Sequence, residues 1–348
     1  MDTITNSSIS TFKTCRRKYY WAYELGLRPD RERACLRIGS MVHEGLDLLA
    51  KGVPLNDVVE VLGKIYEDQA DPLDNTPDLA YESVTVQELV RGYNQAWSNS
   101  PLEIIESEKV FELPIYGLNG HKMLSFRQAG KRDRIGRMPD GRLALMETKT
   151  VSEDIGPDSD YRRVLAINHQ LSMYIAAARI EGLDVSTAIY DCIRKPTIRP
   201  CPVPLTDDNG DKIVLDSSGR RVMKANGQPR LTADTAKGYE LQTREMTPDE
   251  WRAKLAADIA DRPDYYYQRF EVPRLESDLE EFQIELWMVA KDILECRRLG
   301  RWYRNTNTCR NYSSLCPYYP LCAGEKSISD GVPAGFRKTE TVHEELTV

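Results

Sequence analysis

The feature that most constrains the fold is a pair of strand-like segments that lie next to each other in the chain. Residues 123–138 and 141–150 have the composition of β-strands, and Pro139, Asp140 and Gly141 supply a turn between them. A hairpin centred on Asp140 pairs residues whose numbers add up to 280, which places Asp133 opposite Glu147. The Cβ atoms of such a pair lie ~5 Å apart. The sequence therefore predicts two adjacent carboxylates on one face of a sheet.

This predicted pair of carboxylates suggests a particular chemistry. Two carboxylates at that distance repel each other unless a cation lies between them. Oxygen ligands suit Mg²⁺ or Mn²⁺. Lys149 points to the same side of its strand as Glu147, where it can orient or help to deprotonate an attacking water. The pattern predicts metal-assisted hydrolysis of a phosphate ester, although a surface hairpin with a Glu–Lys pair has the same pattern.

Further motifs before and after the hairpin narrow this choice. His43 falls on a predicted helix from Ile38 to Ala50, and Gln170 and Tyr174 lie one turn apart on a predicted helix over residues 161–181. Together with GKRDRIG and METKT, the order and spacing of these elements resemble the RecB-like branch of the PD-(D/E)XK nuclease superfamily, which includes the AddB-like exonucleases.

The resemblance implies a role for each matching residue. It implies that His43, Asp133 and Glu147 bind the metal ion together with the backbone carbonyl of Thr148. It implies that Lys149 acts with Asp133 and Glu147 as a catalytic residue. Gln170 and Tyr174 are implied to contact the substrate or the catalytic lysine.

The cysteines are unevenly distributed along the chain. Cys309, Cys316 and Cys322 form a dense group, one ligand short of a four-thiolate site. Some members of the same nuclease branch hold a [4Fe–4S] cluster with one N-terminal and three C-terminal cysteines, and Cys15 occupies the N-terminal position. The resemblance thus implies a [4Fe–4S] cluster bound by Cys15, Cys309, Cys316 and Cys322, with Zn²⁺ as the alternative. AddB-like and CRISPR adaptation nucleases usually have C-x2-C-x5-C, whereas six residues fill the first gap here.

The overall charge argues against a polyanionic partner, but its distribution does not. The net charge is −7 and the isoelectric point is about 5.4. Residues 12–37 nevertheless carry eight Lys or Arg against three acids, and residues 291–310 carry six against two. Two basic segments on an acidic protein fit a local DNA-binding site. Solvated helix faces explain the same pattern.

Aromatic residues accompany the first basic segment. Stacking of DNA bases on Tyr19, Tyr20, Trp21 or Tyr23 is one interpretation. Packing of these rings in the protein core is the other.

These observations predict an α/β fold with a PD-(D/E)XK (restriction-endonuclease-like) core, in which helices flank a mixed central sheet and the cluster joins the N- and C-terminal helical segments. The predicted organisation has five parts: a cluster-binding helix over 1–37, the nuclease core over 38–198, inserted hairpins or a flap over 199–246, C-terminal helices and a cluster-binding segment over 247–322, and a flexible tail over 323–348.

The predicted function is metal-dependent DNA exonuclease activity at free or single-stranded ends, because no sequence-reading domain is evident. A structure-specific endonuclease and a nuclease-dead DNA-binding scaffold subunit are the alternatives. Recombination, repair or phage DNA processing fits such an enzyme, with a helicase or recombination protein as a partner. The chain has neither a signal peptide nor a membrane-spanning run, which predicts a cytoplasmic protein of a prokaryotic or phage-infected cell with no membrane partner.

Overall fold

The fold was analysed in a computed structural model, which describes residues 1–30, 34–69, 78–311 and 314–347. The α-helices are α1 (Asn6–Thr14), α2 (Arg16–Tyr19), α3 (Ala34–Ala50), α4 (Leu55–Gln69), α5 (Asp78–Ala96), α6 (Asp160–Val164), α7 (His169–Ile180), α8 (Pro248–Asp261), α9 (Pro263–Tyr266), α10 (Glu276–Leu299) and α11 (Tyr319–Ala323). A π-helix (Tyr20–Glu24) and 3₁₀ helices at Leu165–Ile167, Thr235–Lys237, Thr306–Thr308 and Glu344–Leu346 complete the helical elements.

The strands include six that build one sheet and several short pairs. They are β1 (Asp2–Ile4), β2 (Leu27–Pro29), β3 (Glu103–Tyr116), β4 (Lys122–Arg137), β5 (Leu143–Val151), β6 (Val185–Arg194), β7 (Val203–Pro204), β8 (Val214–Leu215), β9 (Glu240–Leu241), β10 (Thr243–Arg244), β11 (Tyr267–Pro273), β12 (Arg310–Asn311), β13 (Ser314–Leu315) and β14 (Phe336–Lys338).

The chain divides into two compact units. The first contains residues 1–40, 97–194 and 267–348, and the second contains residues 41–96 and 195–266. In the first unit the strand order is β1-β4-β5-β6-β11, with β3 also paired to β4. The β5–β6 and β1–β4 pairs are parallel and the others are antiparallel. Helices α1, α7 and α10 pack on this sheet, so the predicted mixed sheet flanked by helices is confirmed.

The register of the predicted hairpin is confirmed as well. Arg134 pairs with Met146 and Arg137 pairs with Leu143, so that the numbers of each pair add up to 280. Gly141 has a φ of 89°, a left-handed conformation that glycine adopts without steric cost. The turn at Gly141 therefore sets the register of β4 against β5.

The N-terminal segment differs from the continuous helix predicted around Cys15. Helix α1 ends at Thr14, and Cys15 is extended, with φ −162° and ψ 116°. Helix α2 starts at the next residue. The break leaves the Cys15 side chain between two helices, where its Sγ accepts a hydrogen bond from the backbone amide of Asn305 at 3.4 Å.

The C-terminal segment also departs from the flexible tail predicted over residues 323–348. Strand β14 pairs with β2, and Phe336 is buried against Trp21, Leu27 and Tyr318. His343 Nε2 lies 3.0 Å from the carbonyl oxygen of Thr3. One aromatic anchor in an otherwise polar segment explains why this segment is attached to the first unit.

The second unit contains α4, α5, α8 and α9. Helix α8 packs on α5, where Trp251 Nε1 donates to Thr85 Oγ1 at 3.1 Å. Residues 199–246 contain β7 to β10 and successive turns at Gly210, Gly219 and Gly227. Among the described residues, no helix is both long and apolar enough to span a membrane.

Candidate functional site

The two predicted carboxylates lie where β4 and β5 separate. The last paired residues of these strands are Arg134 and Met146, and Asp133 and Glu147 are the next residues beyond this pair. Beyond this point β5 continues beside β6, and β4 continues beside β3. The backbone amide of Thr148 donates to Asp133 Oδ2 at 2.9 Å. We call this place the fork, and we define it by Asp133, Glu147 and Lys149.

Glu147 is the most constrained residue of the fork. Its side chain is 0 % exposed, and its Oε2 accepts no hydrogen bond from the described residues. Burial raises the pKa of Glu147 from 4.5 to about 7, and the negative charge of Asp133 contributes to the increase. A buried carboxylate oxygen without a partner is costly unless a cation or a proton occupies the site.

Lys149 supplies a positive charge beside these carboxylates. Its Nζ forms an ion pair with Glu147 Oε1, while the side chain remains 34 % exposed. Burial favours a lower pKa for Lys149, but the charges of Glu147 and Asp133 outweigh this effect and raise it. Lys149 is therefore a charged ammonium at neutral pH, and its side chain both contacts Glu147 and faces solvent.

Arg134 is a residue of this region that sequence reasoning missed. Its Nη2 donates to Thr148 Oγ1 at 2.5 Å, which ties β4 to β5 just past their last backbone pair. The basic residues on both sides of Asp133 in GKRDRIG were the available signal. The metal-binding role of the Thr148 carbonyl stays a prediction.

Helix α7 carries the two predicted substrate-contacting residues. Gln170 Nε2 donates to the Tyr174 hydroxyl at 3.1 Å. Burial and the charge of Glu147 raise the pKa of Tyr174, and Asp133 adds to the increase, which indicates that Tyr174 lies close to the fork. A Cβ at Gly130 would lie 2.7 Å from the Tyr174 ring, so glycine at this position allows α7 to approach β4.

The start of α7 is held by Arg274, which gave no signal in the sequence. This guanidinium is buried, and its Nη2 donates to the carbonyls of Leu165 and Asn168 at 2.6 and 3.2 Å. Its Nε donates to Ser172 Oγ at 3.1 Å. Because these partners lie more than a hundred residues earlier in the chain, no local pattern could reveal them.

His43 lies on α3, in the part of that helix that belongs to the second compact unit. Its assignment as a metal ligand stays a prediction.

The four predicted cluster ligands line one cavity of about 360 Å³. Cys15, Cys309, Cys316 and Cys322 all contribute to its wall, and all are free of disulfides. Within the described ranges, no three His, Cys, Asp or Glu side chains lie close enough together to hold a metal ion. The structure thus brings the four cysteines to a common cavity without bringing their sulfur atoms to metal-binding distance.

The surroundings of this cavity suit an anionic group. Trp21 Nε1 donates to Cys322 Sγ at 3.4 Å, in addition to the bond from the Asn305 amide to Cys15 Sγ. Three cationic side chains also line the cavity, namely Lys18, Arg304 and Arg310. Among the described residues, no carboxylate lines it.

The aromatic residues of the first basic segment do not form a base-stacking surface. Tyr19 is buried and stacks on Trp302 and Tyr23, with ring centroids 5.6 and 5.2 Å apart. Tyr20 also stacks on Trp302, and Trp21 is buried in a second cluster. The interpretation as core packing is correct, because the rings of the N-terminal segment pack against each other and against Trp302 of the C-terminal segment.

The two basic segments themselves meet in the first unit. Arg17 Nε donates to the carbonyl of Trp302 at 2.7 Å, and the guanidinium of Arg16 lies 4.4 Å from the ring centroid of Tyr303. Asp292 offsets part of this charge through an ion pair with Arg16 at 3.3 Å.

Comparison with known proteins gives the family. The family model of the PD-(D/E)XK nuclease superfamily matches residues 3–323. No curated protein matches the chain. A crystal structure of a candidate exonuclease from Eubacterium rectale is 11% identical, with a TM-score of 0.36, and the match covers 76% of this chain and 80% of that one. The crystal structure of SSO0001 is 14% identical, with a TM-score of 0.25 and coverages of 56% and 63%.

Both structural likenesses are too remote to carry an argument, whereas the family match spans nearly the whole chain, including the fork and the four cysteines. Enzymes of this family act on nucleic acids and typically use divalent metal ions. The chain belongs to the PD-(D/E)XK nuclease superfamily.

Proposed function

We propose that this protein is a Mg²⁺- or Mn²⁺-dependent exonuclease that hydrolyses phosphodiester bonds at DNA ends. The observation that carries the proposal is the fork, where Glu147 is fully buried beside Asp133 with an oxygen that receives no hydrogen bond from the part of the chain that the structure describes. Carboxylate oxygens are the ligands that Mg²⁺ and Mn²⁺ prefer. The donor set of the fork therefore fits such an ion, with His43 and the Thr148 carbonyl as further proposed ligands.

Each residue of the fork has a separate task in this proposal. A bound divalent ion supplies Lewis acidity and a water molecule of lowered pKa. Asp133 and Glu147 hold the ion, and the Thr148 amide keeps Asp133 oriented through its hydrogen bond. Lys149 orients the attacking water and offsets the negative charge that develops on the phosphate.

Gln170 and Tyr174 are proposed to position the substrate. Their mutual hydrogen bond and the Arg274 contacts fix the first turns of α7 beside the fork. A residue that positions the reacting groups can contribute as much to the rate as one that takes part in the chemistry.

We also propose a structural [4Fe–4S] cluster at Cys15, Cys309, Cys316 and Cys322. Four thiolates in one cavity, two N–H donors to sulfur and cations without carboxylates suit the anionic cluster. Zn²⁺ is the alternative for four thiolates. Iron and sulfide analysis of protein purified without oxygen distinguishes them, since one zinc and no iron per chain would overturn the cluster.

End dependence separates the proposed exonuclease from an endonuclease. The test uses linear DNA and covalently closed circles of the same sequence, single-stranded and duplex, with Mn²⁺. We expect the linear forms to be degraded and the circles to survive. Rapid cutting of the circles would support the endonuclease instead.

A nuclease-dead scaffold subunit fits the fork poorly, because Asp133, Glu147 and Lys149 are all present and lie together. The proposed setting is recombination, repair or phage DNA processing in the cytoplasm of a prokaryotic or phage-infected cell. A helicase or recombination protein is the proposed partner.

A further inference from the structure

A second feature near the fork is a groove that no predicted motif explains. One wall is α1, which contributes Asn6, Ser10 and Lys13. The other wall is the segment from α6 to the start of α7, which contributes Val164, Ile167 and Gln170. The space between these walls is about 500 Å³. We call it the α1–α7 groove.

The α1 wall is polar for a reason that its sequence shows. Asn6, Ser10 and Lys13 recur at helical spacing and share one accessible face of α1, with the buried Ile9 at its base, while Phe12 packs into the core. Asn6 and Ser10 offer uncharged hydrogen-bonding groups, and Lys13 offers an ammonium that is 41% exposed. Such a face suits the sugars and phosphates of a nucleic acid strand.

The opposite wall exposes apolar side chains to solvent. Val164 is 57% exposed and Ile167 is 80% exposed, while Leu165 between them is buried. Large apolar side chains exposed in a groove suit contact with the apolar faces of unpaired bases.

The groove leads towards the fork. Gln170 lines it and donates to the Tyr174 hydroxyl, and the Tyr174 ring lies against Gly130 of β4, three residues before Asp133. A strand lying in the groove thus reaches the residues that are proposed to position the substrate.

The charge of the groove fits the binding of an anionic strand with moderate affinity. Among the described residues, no Asp or Glu lines it. Glu285 lies beside one end, where its Oε2 is 2.8 Å from Lys13 Nζ and 2.7 Å from His169 Nε2. Glu285 holds both side chains in place and offsets part of the Lys13 charge.

We propose that the α1–α7 groove binds the single DNA strand that enters the fork, with its backbone along α1 and its bases against Val164 and Ile167. This inference rests on the proposed function, because it assigns a path to the substrate of the same site. It adds Lys13 and Ile167 as substrate-binding residues that neither the family motifs nor the fork indicate.

The test measures binding without turnover. Fluorescence anisotropy of a short labelled oligodeoxythymidylate is recorded with Ca²⁺ in place of Mn²⁺, at several salt concentrations. Lys13→Gln and Ile167→Ser should each weaken binding about fivefold or more. Lys13→Gln should also lower the salt slope by up to about 0.7, whereas Ile167→Ser should leave the slope unchanged, because it removes no phosphate contact.

Matched control positions lie at the start of β4, where it forms a hairpin with β3. Lys122 is exposed, and Leu124 is 81% exposed, nearly the same as Ile167. Lys122→Gln and Leu124→Ser should bind DNA like the wild type. Thermal melts of all four variants check that the fold is retained.

Wild-type affinity in either groove variant would overturn the inference, and so would an equal loss in the controls. The proposed function is tested separately by wild-type hydrolysis of linear DNA in Mn²⁺. If the wild type binds the oligonucleotide through the groove but hydrolyses no DNA, the proposed exonuclease activity is overturned and DNA binding in the groove is supported.

Discussion

The fork and the cysteine cavity make opposite contributions to this fold. The fork is built from neighbouring strands, and it buries a carboxylate with an unsatisfied oxygen at Glu147. The cysteine cavity joins Cys15 to Cys309, Cys316 and Cys322 at the far end of the chain, and the charged side chains that line it among the described residues are all cationic. The fork therefore costs folding free energy in the absence of a ligand, whereas the cluster proposed for the cavity would stabilise the fold.

This difference shows how function and stability are divided between the two regions. Binding energy released in the cavity is largely folding energy, because the long loop it closes removes entropy from the unfolded chain. Binding energy released at the fork relieves the burial of Glu147 and prepares the site for chemistry. Changes at the fork should therefore affect rates, and changes at the cavity should affect the amount of folded protein.

The largest expected effect is on catalysis. Glu147→Ala and Lys149→Ala should each lower DNA hydrolysis by at least ~100-fold, because each removes charge stabilisation from the transition state. Iron content should change little. Asp140→Ala, which removes an exposed carboxylate from the turn of the same hairpin, should remain active. Full activity in both fork variants would contradict the assignment.

The next effect is on the cavity. Cys316→Ala should lose the brown colour expected of an iron–sulfur protein and become sensitive to proteases. Its activity should fall only in proportion to the folded protein that remains. Cys201→Ala, at an exposed cysteine outside the cavity, serves as the control. A colourless Cys316→Ala protein that is as stable as the wild type would refute the structural role.

A smaller effect concerns the cost of burying Glu147. In the metal-free folded protein, burial and the charge of Asp133 hold the pKa of Glu147 above its ordinary value of 4.5, so ionisation at high pH costs the folded state free energy. Glu147→Gln removes this cost and should raise the free energy of unfolding in EDTA at about pH 8.

The pH dependence of this difference has a defined sign. Below 4.5 the carboxyl is protonated in both the folded and the unfolded state, so wild type and Glu147→Gln should differ little. As the pH rises from 4.5 to about 7, the unfolded wild type loses its proton first, and wild-type stability falls relative to the variant. Urea titrations across this range measure the difference. If Glu147→Gln is less stable than the wild type at high pH, the claim that the buried Glu147 carboxylate destabilises the metal-free fold is contradicted.

The smallest effect concerns a single donor to sulfur. Trp21→Phe removes the hydrogen bond to Cys322 Sγ and keeps most of the buried ring. We expect a change in stability within about 1 kcal/mol and a lower reduction potential of the cluster, because hydrogen bonds to sulfur raise the potential. A redox titration followed by electron paramagnetic resonance measures it. An unchanged potential would show that the donor does not act on the cluster.

The same contrast explains what could be predicted from the sequence. The turn at Gly141 and the spacing of Asp133 and Glu147 lie within one hairpin, so local geometry was enough to predict the register that the structure shows. The helical spacing of Gln170 and Tyr174 likewise predicted that they share one face, where the structure shows a hydrogen bond between them.

Long-range packing could not be predicted in this way. The break of the helix at Cys15 depends on Asn305, and the burial of Tyr19 depends on Trp302, both from the other end of the first unit. Arg274 donates mostly to carbonyl oxygens, for which the sequence has no signal. Phe336 was a lone aromatic residue in a polar segment, and only its partners show that it anchors the chain.

The central claim is that the fork binds a divalent metal ion through Asp133 and Glu147. The most direct measurement is titration of Mn²⁺ into the wild type and into Asp133→Asn and Glu147→Gln, with free Mn²⁺ followed by electron paramagnetic resonance. We expect saturable binding by the wild type that is lost or weakened at least ~10-fold in both variants, since each loses a charged oxygen ligand. Equal Mn²⁺ binding by all three proteins would contradict it.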